Sequence, residues 1–351
     1  MIDPLRMKEA VESAAADYLA SRELPGLAIA LVHQGSPVTA RGFGYLDLRT
    51  GAPVTGTSIF HLASVSKTFV AAELLLLAER RVVAIDRPAA EFLPSFTFAD
   101  PRYRAITLGH MLSHTSGVSY SDDSRWGLGP DDDGALARYV QGLANLGLVR
   151  APGEAFHYNN TCFEILGALI AEVRGTSFEE AMRADLLAPI GMTSSSFFPN
   201  HVDQAMRAWP HLRDETASRV IPSPVYPYNR KHGPSSTLHS SAVDLCRFLA
   251  MCLEGGGGIL KPESLDLAFT PRASCGPERP GTQIGLSWFL GTHRGLPIRF
   301  HGGHDTGFTS RLLLAPGPGI GLAILCNCDD CDTTGLALLL LDAALGEGFP
   351  S

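Results

Sequence analysis

The sequence predicts an α+β protein in which strands from both ends of the chain share one sheet, flanked by helices, with a mostly helical segment inserted between them. Three observations support this fold class. Short apolar runs bounded by Gly and Pro lie within residues 27–45 and again within 283–326. Helical periodicity of apolar residues dominates residues 85–230. The 351 residues are 45% hydrophobic, which is enough to build a large core.

The first half of the chain begins with a helix, a strand pair and a second helix. An amphipathic pattern predicts the first helix at 4–21, where Asp3 can serve as the cap and Pro4 as the first residue. Two apolar runs separated by a Gly-Ser-Pro turn predict strands, and apolar periodicity predicts the later helices. These strands are 27–33 and 38–45, and these helices are 64–80, 135–146, 162–174 and 178–187.

The last third of the chain returns to strand patterns after one more predicted helix at 242–253. Four short β-type runs and a final apolar helix follow, at 283–290, 298–301, 310–315, 321–326 and 334–345. From this order we expect a sheet domain and a mostly helical domain with the active site in the cleft between them. The sheet domain would hold residues 1–84 and 231–351, and the helical domain residues 85–230.

The composition narrows the classes of partner. The net charge is -8 and no extended basic cluster is present, which argues against binding to nucleic acid. The longest apolar runs, such as 336–341, are far shorter than a membrane span, and the first residues lack the basic and apolar regions of an export signal. We therefore expect a cytoplasmic protein that acts on a small molecule and binds neither nucleic acid nor membrane. The sequence does not indicate an oligomeric state.

The cysteines do not follow the spacing of a disulfide framework, and their number, seven, is odd. Cys326, Cys328 and Cys331 lie close together and could bind a soft metal ion, but no fourth ligand with zinc spacing accompanies them. We expect free thiols, no metal and no cofactor, with a metal site or an additional disulfide as the alternatives.

Ser64 and Lys67 give the clearest indication of chemistry. A serine and a lysine three residues apart at the start of a helix share one face. Lys67 is one of only four lysines and lies in an apolar segment, where burial favours the neutral amine that can accept a proton. The helix N-terminus stabilises negative charge that develops beside the serine. A serine nucleophile can thus be activated without a histidine; alternatively, Ser64 only caps the helix and Lys67 reaches solvent.

A second pattern, Tyr158-Asn159-Asn160, precedes the predicted helix at 162–174. A phenol near a lysine can relay a proton. Asn160 offers both donor and acceptor groups, which suit a substrate carbonyl or amide and can also hold the lysine. The structural alternative is that Asn160 caps the next helix and Tyr158 is a half-buried packing residue.

A third pattern, His301-Gly302-Gly303-His304, ends a predicted strand. The two glycines would let a substrate backbone approach closely. The backbone N–H of His304, together with that of Ser64, could form an oxyanion hole. His301 could donate to a substrate carboxylate or assist proton transfer. The alternative is a Gly-rich turn between two structural histidines.

In this order the three patterns resemble the motifs of the serine β-lactamase and penicillin-binding-protein superfamily. The resemblance is closest to the branch of class C β-lactamases, D,D-carboxypeptidases, D-aminopeptidases and family VIII esterases. Segments 106–117 and 238–249 also look like stretches typical of that branch. The resemblance implies an antiparallel sheet in a β-lactamase/transpeptidase-like fold. It further implies catalytic roles for Ser64, Lys67 and Tyr158, and substrate-binding roles for Asn160, His301, Gly302, Gly303 and His304.

The sequence departs from class C enzymes at the third motif, where His301-Gly302-Gly303 stands in place of Lys-Thr-Gly. Loss of that fixed cation weakens the grip on a β-lactam carboxylate. We therefore expect an esterase or amidase that takes a small ester, amide or peptide and works through an acyl-enzyme. Alternatives are an acyltransferase, a D-amino-acid peptidase, a weak β-lactamase and a catalytically silent sensor of the penicillin-binding type. An α/β-hydrolase and a zinc hydrolase are not indicated, since neither G-x-S-x-G nor H-E-x-x-H occurs.

Overall fold

The protein is described by a computed structural model that defines residues 3–119, 131–214 and 219–346. Within these residues the central feature is a nine-stranded antiparallel sheet. The strands are β1 Gly26–His33, β2 Ser36–Asp47, β3 Ala52–Pro53, β4 Ile59–His61, β5 His211–Asp214, β6 Arg219–Pro222, β7 His239–Ser241, β8 Ala273–Ser274, β9 Gln283–Ile284, β10 Phe289–His293, β11 Leu296–Asp305, β12 Phe308–Ala315 and β13 Ile320–Cys326.

Most of the helices lie between β4 and β8 in the chain. The α-helices are α1 Pro4–Ser21, α2 Ser66–Glu79, α3 Leu108–Leu112, α4 Ala135–Gly142, α5 Thr161–Arg174, α6 Phe178–Met182, α7 Ala188–Ile190, α8 Gly233–Ser236, α9 Ala242–Leu253, α10 Pro262–Ala268 and α11 Thr333–Leu345. Short 3₁₀ turns occur at Ala63–Val65, Ala89–Glu91, Pro101–Ala105, Leu143–Asn145, Pro199–His201 and Arg230–His232, and a π-helical turn at Arg183–Leu187 joins α6 to α7.

Strands from both ends of the chain meet in the middle of the sheet. The strand order is β3-β2-β1-β13-β12-β11-β10-β9-β8, and β4-β7 and β5-β6 form two small separate ladders. The prediction of an α+β fold, with an antiparallel sheet built from both ends and flanked by helices, is confirmed. The division into a sheet domain and a helical domain stays a prediction.

Helices cover both faces of the sheet, which explains why β1 is apolar along its whole length. Successive side chains of a strand point to opposite faces. Ala28 and Ala30 pack in the core that contains residues of α2, α5 and α9. Leu27 and Ile29 pack on the other face with residues of α1 and α11. Burial of each large apolar side chain of such a strand stabilises the folded protein by about 1.5–3 kcal/mol.

The prediction of a single strand at 283–290 is wrong. The chain turns back between β9 and β10, and these two strands pair with each other through Ile284 and Phe289. Ser287 lies in the left-handed region at φ 69, and the Gly285 N–H donates to the Trp288 carbonyl at 2.8 Å. The apolar run conceals this turn because Leu286 and Trp288 stay buried on either side of it.

The structure also bears on the predictions about membrane spans, cysteines and the first helix. Among the residues that it describes, no helix is both long and apolar enough to cross a membrane. All seven cysteines are free and buried. The Asp3 cap of α1 is as predicted, since its carboxylate accepts the Leu5 N–H at 3.0 Å.

One carboxyl group lies deep in the helical part of the core. Glu73 on α2 is fully buried. Burial raises the pKa of Glu73 to about 8, and the nearby Asp185 contributes in the same direction. Asp185 itself is ion-paired with Arg80 at 2.9 Å and also with Arg174. Glu73 is therefore protonated in the folded protein at neutral pH.

We expect Glu73→Gln to remove a pH dependence of stability. The unfolded chain loses this proton near the ordinary value of 4.5, whereas the folded protein keeps it to about pH 8. The contribution of the protonated Glu73 to the free energy of unfolding is thus fully present below about pH 4.5 and is lost as the pH rises to about 8. As the pH is raised from 6 to 9, the free energy of unfolding of the wild type, measured with urea, should fall by roughly 2–3 kcal/mol relative to that of the variant. Glu172→Gln, at an exposed position on α5, is the control, and equal shifts in both variants would contradict the assignment.

Candidate active site

Ser64 and Lys67 are in direct contact. Ser64 lies in the 3₁₀ turn Ala63–Val65, and α2 begins two residues later. Lys67 is fully buried, and its Nζ donates to Ser64 Oγ at 3.0 Å and to the Ser235 carbonyl oxygen at 2.8 Å. The alternative in which Lys67 reaches solvent does not hold. A buried amine 3.0 Å from a serine hydroxyl is placed to take its proton.

The turn that carries Ser64 is held from several sides. Ala63, just before it, has φ 47, a left-handed conformation that costs energy for any residue with a Cβ. Ser66 Oγ donates to the Ala63 carbonyl at 2.7 Å and accepts the Leu238 N–H at 2.9 Å. Ser310 Oγ on β12 donates to the Leu62 carbonyl at 2.6 Å. These bonds fix Ser64 between α2 and the sheet.

Aromatic rings form one wall beside Lys67. Its Nζ lies 5.2 Å from the centre of the Tyr158 ring and 5.5 Å from that of Phe163, both suitable for cation–π attraction. His114 stacks on Tyr158 with ring centres 4.3 Å apart. Burial, and next the charge of Lys67, lower the pKa of His114 well below its ordinary value. A neutral His114 accepts the Asn159 N–H on Nδ1 at 3.0 Å, which positions the Tyr158 segment.

The two asparagines after Tyr158 have different tasks. Asn160 occupies the cap position of α5, but its side chain makes no capping hydrogen bond. Asn159 supplies that bond instead: its Oδ1 accepts the Cys162 N–H at 3.0 Å, and its Nδ2 donates to the Val118 carbonyl at 2.9 Å. The helix-capping role considered for Asn160 is therefore performed by Asn159. A substrate-binding role for Asn160 stays a prediction.

The glycines of the third motif provide space on opposite sides of β11. A Cβ on Gly303 would lie 2.2 Å from the Leu62 carbonyl oxygen and 2.4 Å from Ser310 Oγ. Only glycine lets the strand lie this close to the turn that carries Ser64. A Cβ on Gly302 would lie 3.1 Å from Arg311 Nη2, on the neighbouring strand. The space at Gly302 is thus next to a guanidinium group of the protein itself.

The two histidines of the motif differ in environment. His301 is 1% exposed, and burial together with the charge of Lys67 lowers its pKa to about 3. Because a carbonyl only accepts, the 2.8 Å bond from His301 Nδ1 to the Gly302 oxygen places the hydrogen on Nδ1. His301 Nε2 then presents a lone pair, which fits an acceptor better than the donor expected from the sequence. His304 is exposed, and its Nε2 donates to the Asp329 carbonyl at 3.1 Å.

These elements enclose one cavity of about 340 Å³. Ser64, Tyr158 and the four residues of the third motif lie in its wall. Arg279 and Arg311 lie in the same wall, and sequence reasoning missed both. Arg311 pairs with Gly302 across the two strands, and a lone arginine within the apolar strand Phe308–Ala315 was the one signal available.

The chain matches the family described as Beta-lactamase over residues 11–345. Penicillin-binding protein 4 of Amycolatopsis lactamdurans is 30% identical over 334 residues, covering 93% of this chain and 83% of that protein. Esterase EstB of Burkholderia gladioli is 28% identical over 301 residues, covering 77% and 76%. The octameric penicillin-binding protein homologue from Pyrococcus abyssi superposes with a TM-score of 0.82 at 28% identity, covering 96% of this chain and 77% of that one. The chain therefore belongs to the beta-lactamase family of hydrolases, whose members include penicillin-binding proteins and esterases.

Proposed function

We propose that the protein is a serine hydrolase that forms an acyl-enzyme on Ser64 and acts on small carboxylic esters or amides. The observation that carries this proposal is the 3.0 Å hydrogen bond between the buried Lys67 Nζ and Ser64 Oγ, at the wall of an open cavity. A serine with an adjacent buried base is the arrangement that nucleophilic catalysis requires. The esterase among the relatives agrees with this substrate class.

The residues suggest the following sequence of steps. Ser64 Oγ bonds to the substrate carbonyl carbon, the carbonyl electron pair moves to oxygen, and the serine proton passes to Lys67. The backbone N–H groups of Ser64 and His304 would stabilise the oxyanion. The carbon–leaving-group bond then breaks, and the leaving oxygen or nitrogen takes the proton from Lys67 through Tyr158. Water repeats the attack with Lys67 as base, and Ser64 departs with its proton restored.

The other candidate functions differ in whether an acyl-enzyme forms and in what attacks it. An acyltransferase differs only in that an alcohol or amine, rather than water, attacks the second time. A silent sensor of the penicillin-binding type would keep the fold without turnover. Missing Lys-Thr-Gly argues against an efficient β-lactamase.

Covalent labelling and a substrate panel test the proposal. A serine-reactive fluorophosphonate should add one group to the protein, on the peptide that holds Ser64, and Ser64→Ala should stay unlabelled in intact-protein mass spectrometry. Short-chain p-nitrophenyl esters and amides should be hydrolysed faster than a chromogenic cephalosporin. An adduct on another serine, with Ser64 untouched, would refute the mechanism, and a cephalosporin as the best substrate would refute the substrate class.

A second candidate, a peptidase for peptides with a free carboxylate, gains support from the two arginines in the cavity wall. Burial, and next the neighbouring Arg279, lower the pKa of Arg311 to about 10, so the Arg311 guanidinium is still charged at neutral pH. Asp332 is the one carboxylate among the described residues that line this cavity, and its Oδ1 is occupied in capping α11. Arg279 and Arg311 line the cavity, and the Asp332 carboxylate beside them already accepts hydrogen bonds from α11. The cavity wall therefore favours binding of a substrate that carries a negative charge.

Arg311→Gln is expected to affect only substrates that carry a carboxylate. With a half-ester of succinic acid and p-nitrophenol, KM should rise about tenfold, because a charge-assisted hydrogen bond is lost. KM for the neutral p-nitrophenyl butyrate should stay within about twofold. Arg294→Gln, in the exposed turn before β11, is the matched control. Equal losses on both esters would show that Arg311 supports the fold of the site and does not select charge.

A further inference from the structure

A second buried carboxyl group lies behind Ser64 and Lys67. Glu164 is on α5, six residues after Tyr158, and is fully buried. Its two oxygens face Ser235 on α8: Oε1 accepts from Ser235 Oγ, and Oε2 accepts the Ser235 N–H at 3.3 Å. His232 Nδ1 lies 3.2 Å from Oε1. The carboxyl group of Glu164 is therefore surrounded by hydrogen-bond partners and is not exposed to the substrate cavity.

Ser235 links this carboxylate to the catalytic lysine. Its N–H and its hydroxyl both point to Glu164, while its carbonyl oxygen accepts from Lys67 Nζ at 2.8 Å. The helix that carries it has only four residues, Gly233–Ser236, and packs against both α2 and α5. A turn this short has little rigidity of its own, so the two bonds to Glu164 fix where its carbonyl lies.

The position of that carbonyl matters for proton transfer. A neutral amine has two N–H bonds and one lone pair. The N–H that donates to the Ser235 carbonyl restricts rotation of the amine about its last C–N bond. In the neutral amine, the lone pair can then take the place of the N–H that donates to Ser64 Oγ in the structure, and accept the serine proton. We propose that Glu164 is a positioning residue that, through Ser235, orients Lys67 for acylation of Ser64. This inference rests on the proposed function.

A purely structural role for Glu164 makes a different prediction. If Glu164 only joins α5 to α8, its loss should lower thermal stability and leave the rate of the folded fraction unchanged. If it positions Lys67, its loss should lower the maximal rate of acylation while substrate affinity is kept, since Glu164 does not touch the cavity. The split between rate and affinity therefore separates the two roles.

The experiment measures phosphonylation of Ser64 in the full chain by a fluorophosphonate, in which the serine oxygen bonds to phosphorus, fluoride leaves and the serine proton passes to the same base. The rate is followed over a range of concentrations, well below the melting temperature of each variant. Glu164→Gln replaces one acceptor oxygen by an NH₂ group that must face a donor. Its maximal rate should fall about tenfold to a hundredfold, the range for a misplaced base, with half-saturation within about twofold. Ser235→Ala keeps the backbone bonds and loses only the hydroxyl, so a smaller loss of about threefold to tenfold is expected. Glu172→Gln, exposed on the same helix, should match the wild type.

The outcomes separate this inference from the proposed function. If the wild type is not labelled, both the proposed function and the positioning role are refuted. A wild type that is labelled, with Glu164→Gln and Ser235→Ala each within about twofold of its maximal rate, would overturn the positioning role alone. Should Glu164→Gln fail to fold, Ser235→Ala decides: an unchanged maximal rate overturns the inference, and a reduced rate with unchanged half-saturation supports it.

Discussion

Lys67→Ala is expected to slow acylation of Ser64 by about a hundredfold to ten-thousandfold, the range over which general-base catalysis contributes. The physical reason is that Nζ is the basic group seen in contact with Ser64 Oγ, at 3.0 Å. The substitution leaves a space where a fully buried side chain stood and removes the donor to the Ser235 carbonyl, so the free energy of unfolding should also fall, by roughly 1–3 kcal/mol. The rate is therefore compared on the folded fraction of each variant.

Single-turnover kinetics with a p-nitrophenyl ester would measure the effect. Lys261→Ala changes an exposed lysine at the cap of α10 and is the matched control. Tyr158→Phe should cost more in kcat than in KM, because its ring contact with Lys67 is kept and only the hydroxyl is lost. Near-normal kcat in both Lys67→Ala and Tyr158→Phe would mean that another base takes the serine proton.

Gly303→Ala is expected to lower kcat by at least about a hundredfold, since a displacement of about 1 Å near the reacting atoms can cost that much. The added Cβ would lie 2.2 Å from the Leu62 carbonyl oxygen, which belongs to backbone and cannot swing away. Either β11 or the turn that carries Ser64 must move. The free energy of unfolding should fall by roughly 1–3 kcal/mol, as for other overpacked sites.

Gly302→Ala offers a comparison one residue away on the same strand. The nearest atom to its Cβ would be Nη2 at the end of the Arg311 side chain, at 3.1 Å, and the nearest backbone atom, the Ser310 carbonyl oxygen, would lie at an ordinary contact distance of 3.8 Å. This variant should keep its stability and most of its activity on a neutral ester. Rates on p-nitrophenyl butyrate, together with urea unfolding of both variants, test the pair. Equal behaviour of the two variants would show that close contact with Leu62 does not set the geometry of the site.

The contact between Ser64 and Lys67 could be predicted from the sequence, because three residues at the start of a helix bring the two side chains together even though Ser64 lies in the 3₁₀ turn before α2. The catalytic and substrate-binding roles of the motif residues stay predictions. Arg311 could not be placed in the same way, because its position depends on which strands pair and in what register. Arg279 lies in the loop between β8 and β9, whose course follows from no periodic pattern. Ser235 and Glu164 depend on how α8 packs against α5, a tertiary contact with no periodic signal.

The fold was predictable to a similar degree and for similar reasons. Apolar runs near both ends indicated strands, and the structure confirms one antiparallel sheet from them. The turn at Ser287 was missed because its φ of 69 is adopted by a residue type that carries no preference for it. The strand 298–301 extends to Asp305 in the structure, because Gly302 and Gly303 pair with β12 as regularly as their neighbours do.

The central pairing of β1 with β13 has a consequence for how the protein folds. Leu27 pairs with Cys326, so the middle of the sheet requires residues from nearly opposite ends of the sequence to meet. Such long-range closure is entropically slow, and folding rates fall as the sequence separation of contacts grows. Ser310 on β12, which holds the turn before Ser64, belongs to the same late-synthesised strands. On the ribosome, the turn that carries Ser64 therefore lacks its final contacts until β12 and β13 have emerged and paired.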